Sequence, residues 1–77
     1  MQEVRLGKYR HFKGGLYEVI GTARHSETLE KLVVYKNLYD HPKYGRGSIW
    51  VRPKEIFLEQ VEVDSKKVPR FKFIEKI

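Results

Sequence analysis

The side chains with the widest chemical range in this sequence are its three histidines, and two of them directly follow an arginine, as Arg10-His11 and Arg24-His25. Imidazole can move protons or ligate a metal near neutral pH. Neither use is supported by spacing. His11, His25 and His41, even with Glu27 added, show no close ligand pattern such as His-x-x-x-His, so we expect no metal site. His25-Ser26-Glu27-Thr28 sets a hydroxyl beside a base, but neighbours in sequence do not make triad geometry. Lys13-Gly14-Gly15 lacks the Gly-Lys-Ser/Thr of a phosphate loop and no helix is predicted after it, so it reads as a turn. No catalytic residue and no cofactor emerges, and a small enzyme using His25 and Glu27 is the weakest of the functional readings.

A second constellation is aromatic and cationic: Tyr35, Tyr39, Trp50 and Arg52, with Arg24 and His25 nearby. Trp, Tyr and Arg are the residue types enriched in binding hot spots and in base-stacking platforms. Their usefulness depends on strand parity, since successive side chains of a strand point to opposite faces. If Ile49 and Val51 face the core, Trp50 and Arg52 face outward together. Likewise Leu32, Val34 and Leu38 inward would turn Val33, Tyr35 and Tyr39 out, giving two neighbouring strands one exposed face. The opposite register, with Trp50 and Tyr35 as core, is equally ordinary for a domain with a single Trp.

The elements that must position these residues are short strands. Gly7 to Phe12 is aromatic-rich and ends at Lys13-Gly14-Gly15, where a tight hairpin would use a glycine at positive φ. A strand restarts at Leu16 and runs to about His25, with Gly21 marking a bulge or bend. Ser26-Glu27-Thr28 is a turn, with a helical turn over Glu27 to Lys31 as an alternative. Lys31 to Tyr39 is a β-branched and aromatic strand, Asp40 to Gly47 a long polar loop, and Ser48 to Arg52 a fourth strand. Pro53 to Ile56 suits a short helical or 3₁₀ turn. Phe57 to Val63 and Arg70 to Ile74 complete the strands, joined by Asp64 to Pro69. This predicts one mostly β domain over residues 1–77, a small SH3-like barrel of five or six strands with one helical turn, ahead of an OB-type barrel.

Composition sets the outer bounds. A chain of 77 residues has room for one domain and buries only about 60% of its unfolded surface. Cysteine is absent, which excludes disulfides and thiolate zinc sites and suits a reducing cytoplasm. No apolar run approaches the length of a membrane span, and Met1-Gln2-Glu3-Val4 lacks the apolar core of a signal peptide, so a cytoplasmic location with no membrane partner is expected. The net charge of +6 attracts phosphate backbones and acidic partners alike. It is distributed in blocks: Lys43, Arg46, Arg52 and Lys54 fall in a stretch without acids, whereas Glu55, Glu59, Glu62 and Asp64 fall in one without bases.

The run Gly7-Lys8-Tyr9-Arg10-His11-Phe12-Lys13-Gly14-Gly15, with Tyr17-Glu18-Val19, Ala23 to Thr28, Val33-Val34-Tyr35, Leu38-Tyr39, Trp50-Val51-Arg52-Pro53 and Phe57, resembles the small bacterial domain-of-unknown-function family 1653. The likeness extends from Gly7 to Phe73, although the loop from His41 to Gly47 is longer than expected of that family. It implies no reaction or ligand. The residues themselves lead to a binding module whose basic and aromatic face, Arg24, His25, Tyr35, Tyr39, Trp50 and Arg52, takes a protein or peptide partner. Nucleic acid or a nucleotide-containing ligand is the alternative. The oligomeric state cannot be read from the chain.

Overall fold

The structure, a computed structural model, describes residues 4–77. Its seven strands are β1 (Gly7–His11), β2 (Leu16–Arg24), β3 (Lys31–Asn37), β4 (Ile49–Pro53), β5 (Gln60–Val63), β6 (Lys66–Pro69) and β7 (Phe71–Glu75), with one short helix, α1 (Lys54–Phe57), between β4 and β5. Five of them form an antiparallel sheet in the order β4-β3-β2-β1-β7, and β5 and β6 form a separate two-stranded ribbon. The expected mostly β architecture is present, but the large sheet is not a closed barrel: β4 and β7 remain its edges.

Local chemistry explains each connection. The β1–β2 turn closes through Gly14 N–H to His11 O at 2.7 Å and His11 N–H to Gly15 O at 2.8 Å, with Gly14 at φ +106°, a conformation that glycine adopts without steric cost. The β2–β3 register shifts between Val19 and Gly21, so the bend expected at Gly21 is a bulge. Residues 26–28 form a turn closed by Leu29 N–H to His25 O at 2.8 Å, and Lys31 already opens β3, so no helix runs over Glu27 to Lys31. Pro53 caps α1 at φ −52° instead of entering it.

One strand was not foreseen. Residues 64 to 69 read as a connection, yet Lys66–Pro69 pairs with Gln60–Val63 around Asp64 and Ser65, which both have positive φ (51° and 65°). Two consecutive left-handed residues match the turn that two-residue hairpins favour. The acidic stretch is thereby met by bases: Glu62 stands opposite Lys67, and Glu59 Oε1 accepts from Arg70 Nη2 at 2.8 Å.

The sheet curls around a small aromatic core of Tyr9, Val19, Val33, Tyr35, Phe57 and Phe71. Phe57, 1% exposed, is delivered by α1 and stacks on Phe71 with ring centroids 4.3 Å apart at 8°. Tyr9 meets Phe57 and Phe73 edge-on. Burying a side chain of this size stabilises by about 1.5–3 kcal/mol, and well-oriented ring pairs add about 0.5–1.5 kcal/mol each.

Strand parity overturns the exposed-face expectation. Val33, Tyr35 and Asn37 are buried, while Ile49 and Val51 are 57% and 58% exposed. Trp50 pairs with Tyr35 and Arg52 with Val33, so both lie on the concave inner side. Tyr35, Trp50 and Arg52 do share one face, but it is the packed face. The inner side is curled tightly enough to favour flat, bulky rings, and the aliphatic residues of β4 are left outside.

Candidate functional site

The inner face is filled at its centre by Phe57, and at the end where β1 turns into β2 and β3 enters the loop of residues 38–48 the side chains of His11, Tyr17, Tyr39, Trp50 and Arg52 are only partly buried, forming a solvent-facing mouth. Alternation along β1 places His11 on the same side as buried Tyr9, and alternation along β2 places Tyr17 with buried Val19. Phe71 forms the floor. The His11 ring lies 4.9 Å from Phe71, and Tyr17 meets Phe71, Tyr35 and Tyr39 edge-on at 5.4–5.6 Å. The Tyr17 and Tyr39 hydroxyls are hydrogen-bonded at 3.1 Å.

Arg52 reaches over this floor from the opposite edge strand, with its guanidinium carbon 5.2 Å from the Phe71 ring centroid. The three ion pairs among the described residues are Lys8–Glu75, Lys36–Glu18 and Arg70–Glu59, so Arg52 has no carboxylate at contact distance there. A half-buried guanidinium on an aromatic face, with its donors uncommitted to acid among the described residues, keeps hydrogen-bonding capacity for an anion.

The other wall is held by Asn37, which is completely buried. Its Nδ2 donates to Tyr39 O at 2.7 Å and Gly45 O at 2.6 Å, and its Oδ1 accepts from Trp50 Nε1 at 3.2 Å. One amide thus joins β3, the loop and the indole of β4. Trp50 packs in turn against Tyr44 at 5.4 Å and His41 at 6.0 Å.

The electrostatics of this mouth are cationic. Burial, and then the charges of Arg52, Arg70 and Lys13, hold the His11 imidazole below its ordinary range. Burial also pushes the Tyr17 phenol up, helped by its hydrogen bond to Tyr39 and the neighbouring Tyr39 and Tyr35 and opposed by Arg52, so the hydroxyl keeps its proton. Arg70 Nε is buried and has no hydrogen-bond partner among the described residues. Neutral His11 and protonated Tyr17 therefore leave the net positive charge to guanidiniums and Lys13.

Of the residues singled out in the sequence, Tyr39, Trp50 and Arg52 come together at this mouth, half-buried, with Tyr35 beneath them at 5% exposure. Arg24 and His25 do not join them. They lie at the far end of β2, where His25 Nδ1 accepts from Glu27 N and Thr28 N and so shapes the turn. His11 and His41 bind backbone N–H groups two residues on in the same way, so each histidine has a local structural task. Sequence reasoning passed over Asn37, His11, Tyr17 and Phe71 as site residues. Period-two alternation with Tyr9 and Val19 was the available signal for His11 and Tyr17. Asn37 had none, because its value depends on a loop returning to it.

Comparison with known proteins agrees with this architecture. The family of proteins of unknown function DUF1653 matches residues 7–73. The chain belongs to this family. A family member from Bordetella bronchiseptica, known from its crystal structure, is 36% identical, with a TM-score of 0.86 over 100% of this chain and 95% of that one. No curated protein matches. Family membership thus supports the fold and leaves the mouth to be interpreted from its own chemistry.

Proposed function

We propose that this protein is a small binding module of the SH3-like kind, and that its mouth takes an acidic segment of a protein partner. The observation that carries the reading is Arg52, half-buried over Phe71 and without a carboxylate among the described residues. Tyr17, Tyr39 and Trp50 supply flat, weakly flexible surface around it, and their rings lose little entropy on binding. The absence of cysteine is compatible with a cytoplasmic setting. The net charge of +6 favours the same class of partner through long-range attraction.

Trp50 is the single tryptophan and reports on the mouth directly. Titration with a panel of acidic and neutral peptides should change its emission with acidic members only. Arg52→Ala should weaken that binding by about tenfold or more, as for loss of a charge-assisted contact, and cost about 1 kcal/mol of stability for the lost packing on Phe71. Arg52→Lys should restore it in part, because ammonium cannot reproduce the planar stacked fork. Peptide binding indifferent to Arg52 would overturn the reading. If single-stranded oligonucleotides bind instead, with a steep dependence on salt, the partner is nucleic acid.

A further inference from the structure

At the opposite end of β3, where the β2–β3 hairpin and the start of α1 approach one another, lies a second concavity of about 500 Å³, lined by Val4, Thr22, Ala23, Arg24, Lys31 and Lys54. Three of the six are cationic, and they come from three different elements: Arg24 ends β2, Lys31 begins β3, and Lys54 opens α1. None takes part in an ion pair among the described residues. Glu27, Glu30 and Glu55 are near in sequence, yet none lines the concavity.

Arg24 is held in place. Its Nη1 donates to Leu29 O at 2.8 Å across the hairpin loop, where Leu29 adopts φ +62°. That bond uses one of five guanidinium donors and leaves the rest available. Thr22, paired with Val33, adds a hydroxyl to the same wall. Three like charges around one hollow repel one another unless an anion lies between them.

We propose that this concavity is a binding site for the terminal phosphate of a small phosphate ester. A monoester phosphate carries close to two negative charges near neutral pH and three acceptor oxygens, which suits three cations around one hollow, Arg24 and Lys31 side by side across the β2–β3 ladder and Lys54 from α1. A diester backbone spreads single charges along an extended chain and matches a stripe better than a hollow. The volume lies within the range of small-ligand sites, and Val4 supplies apolar wall for the organic part of the ligand. The inference is independent of the acidic-peptide reading, since the two sites share no lining residue.

The test is an amide-resolved NMR titration of the full chain with inorganic phosphate and with pyrophosphate, at constant ionic strength set by chloride. Shifts are expected to saturate and to concentrate at Thr22, Ala23, Arg24, Lys31 and Lys54, with pyrophosphate the tighter ligand. Lys54→Gln and Lys31→Gln should each weaken pyrophosphate by about fivefold, the scale of one charge-assisted contact, while Lys72→Gln on β7 should not. Arg24→Lys, which keeps the charge and loses the planar anchor to Leu29, should fall between them and wild type. Shifts that spread evenly over the basic surface, or an affinity unchanged in both Lys31→Gln and Lys54→Gln, would sink the proposal. A single-stranded oligonucleotide that outcompetes pyrophosphate at equal phosphate concentration would overturn the small-ligand assignment.

Discussion

The two faces of β4 differ in a way that simple hydrophobicity inverts. Its outer face carries Ile49 and Val51, both more than half exposed, whereas its inner face carries Trp50 and Arg52, each half-buried. The aliphatic pair gains little from the strand, because on the outer side of the five-stranded sheet both side chains stay largely exposed among the described residues. The inner pair gains more, since Trp50 has an acceptor in Asn37 and Arg52 a ring beneath it. The difference teaches that in so small a domain the inside is where partners are available. A polar atom with a partner is admitted there ahead of an aliphatic one without.

The largest test of this contrast is at Asn37. Replacing it with Ala would strand the Trp50 indole N–H and the Tyr39 carbonyl together and leave the Gly45 carbonyl only its bond from His41 N–H. The expected loss is about 3 kcal/mol or more, given roughly 1–3 kcal/mol for each buried group left unpaired. Asn37→Asp should be no better, since a carboxylate would accept from Trp50 but face two carbonyl oxygens. Denaturant melts of both variants check this, and a loss below about 1 kcal/mol in each would show that the loop is held by something else.

Next in size is a paired comparison on the strand itself. Trp50→Ala should cost about 2–3 kcal/mol, below the roughly 3–5 kcal/mol of a fully buried ring because one side of the indole is open. Val51→Thr, which preserves branching at Cβ, should stay within about 0.5 kcal/mol as an exposed substitution. Equal costs at the two positions would mean that the faces of β4 are not distinguished as described.

The smallest effect expected is a pH dependence at the mouth. The His11 imidazole is held below its ordinary value of 6.5 in the folded protein. Protons therefore bind the unfolded chain first, and the contribution of neutral His11 is complete above that value. It declines as pH falls through 6.5 towards the lower folded value. Melting temperatures measured between about pH 7.5 and 5 should drop more steeply for the wild type than for His11→Asn, which keeps an acceptor for Lys13 N but does not titrate. Parallel curves would show that His11 is not desolvated among cations.

Much of this molecule was legible in its sequence. The β-branched and aromatic runs predict β1 to β4, Pro53 predicts the helical turn, and Gly14 and Gly21 are found at the turn and the bulge where their types suggested. These features depend on interactions within a few residues, so sequence alone determines them. It also determined the family, since the matching blocks run along nearly the whole chain. The tertiary structure decided what local patterns leave symmetric. A strand with alternating Ile-Trp-Val-Arg can turn either pair inward, and only the curvature of the sheet, the ring of Phe71 and the amide of Asn37 make the aromatic side the lower in free energy. The gathering of Arg24, Lys31 and Lys54 around one hollow likewise required α1 to fold back on the β2–β3 hairpin. Charges 30 positions apart in a chain have no preferred distance until packing assigns one.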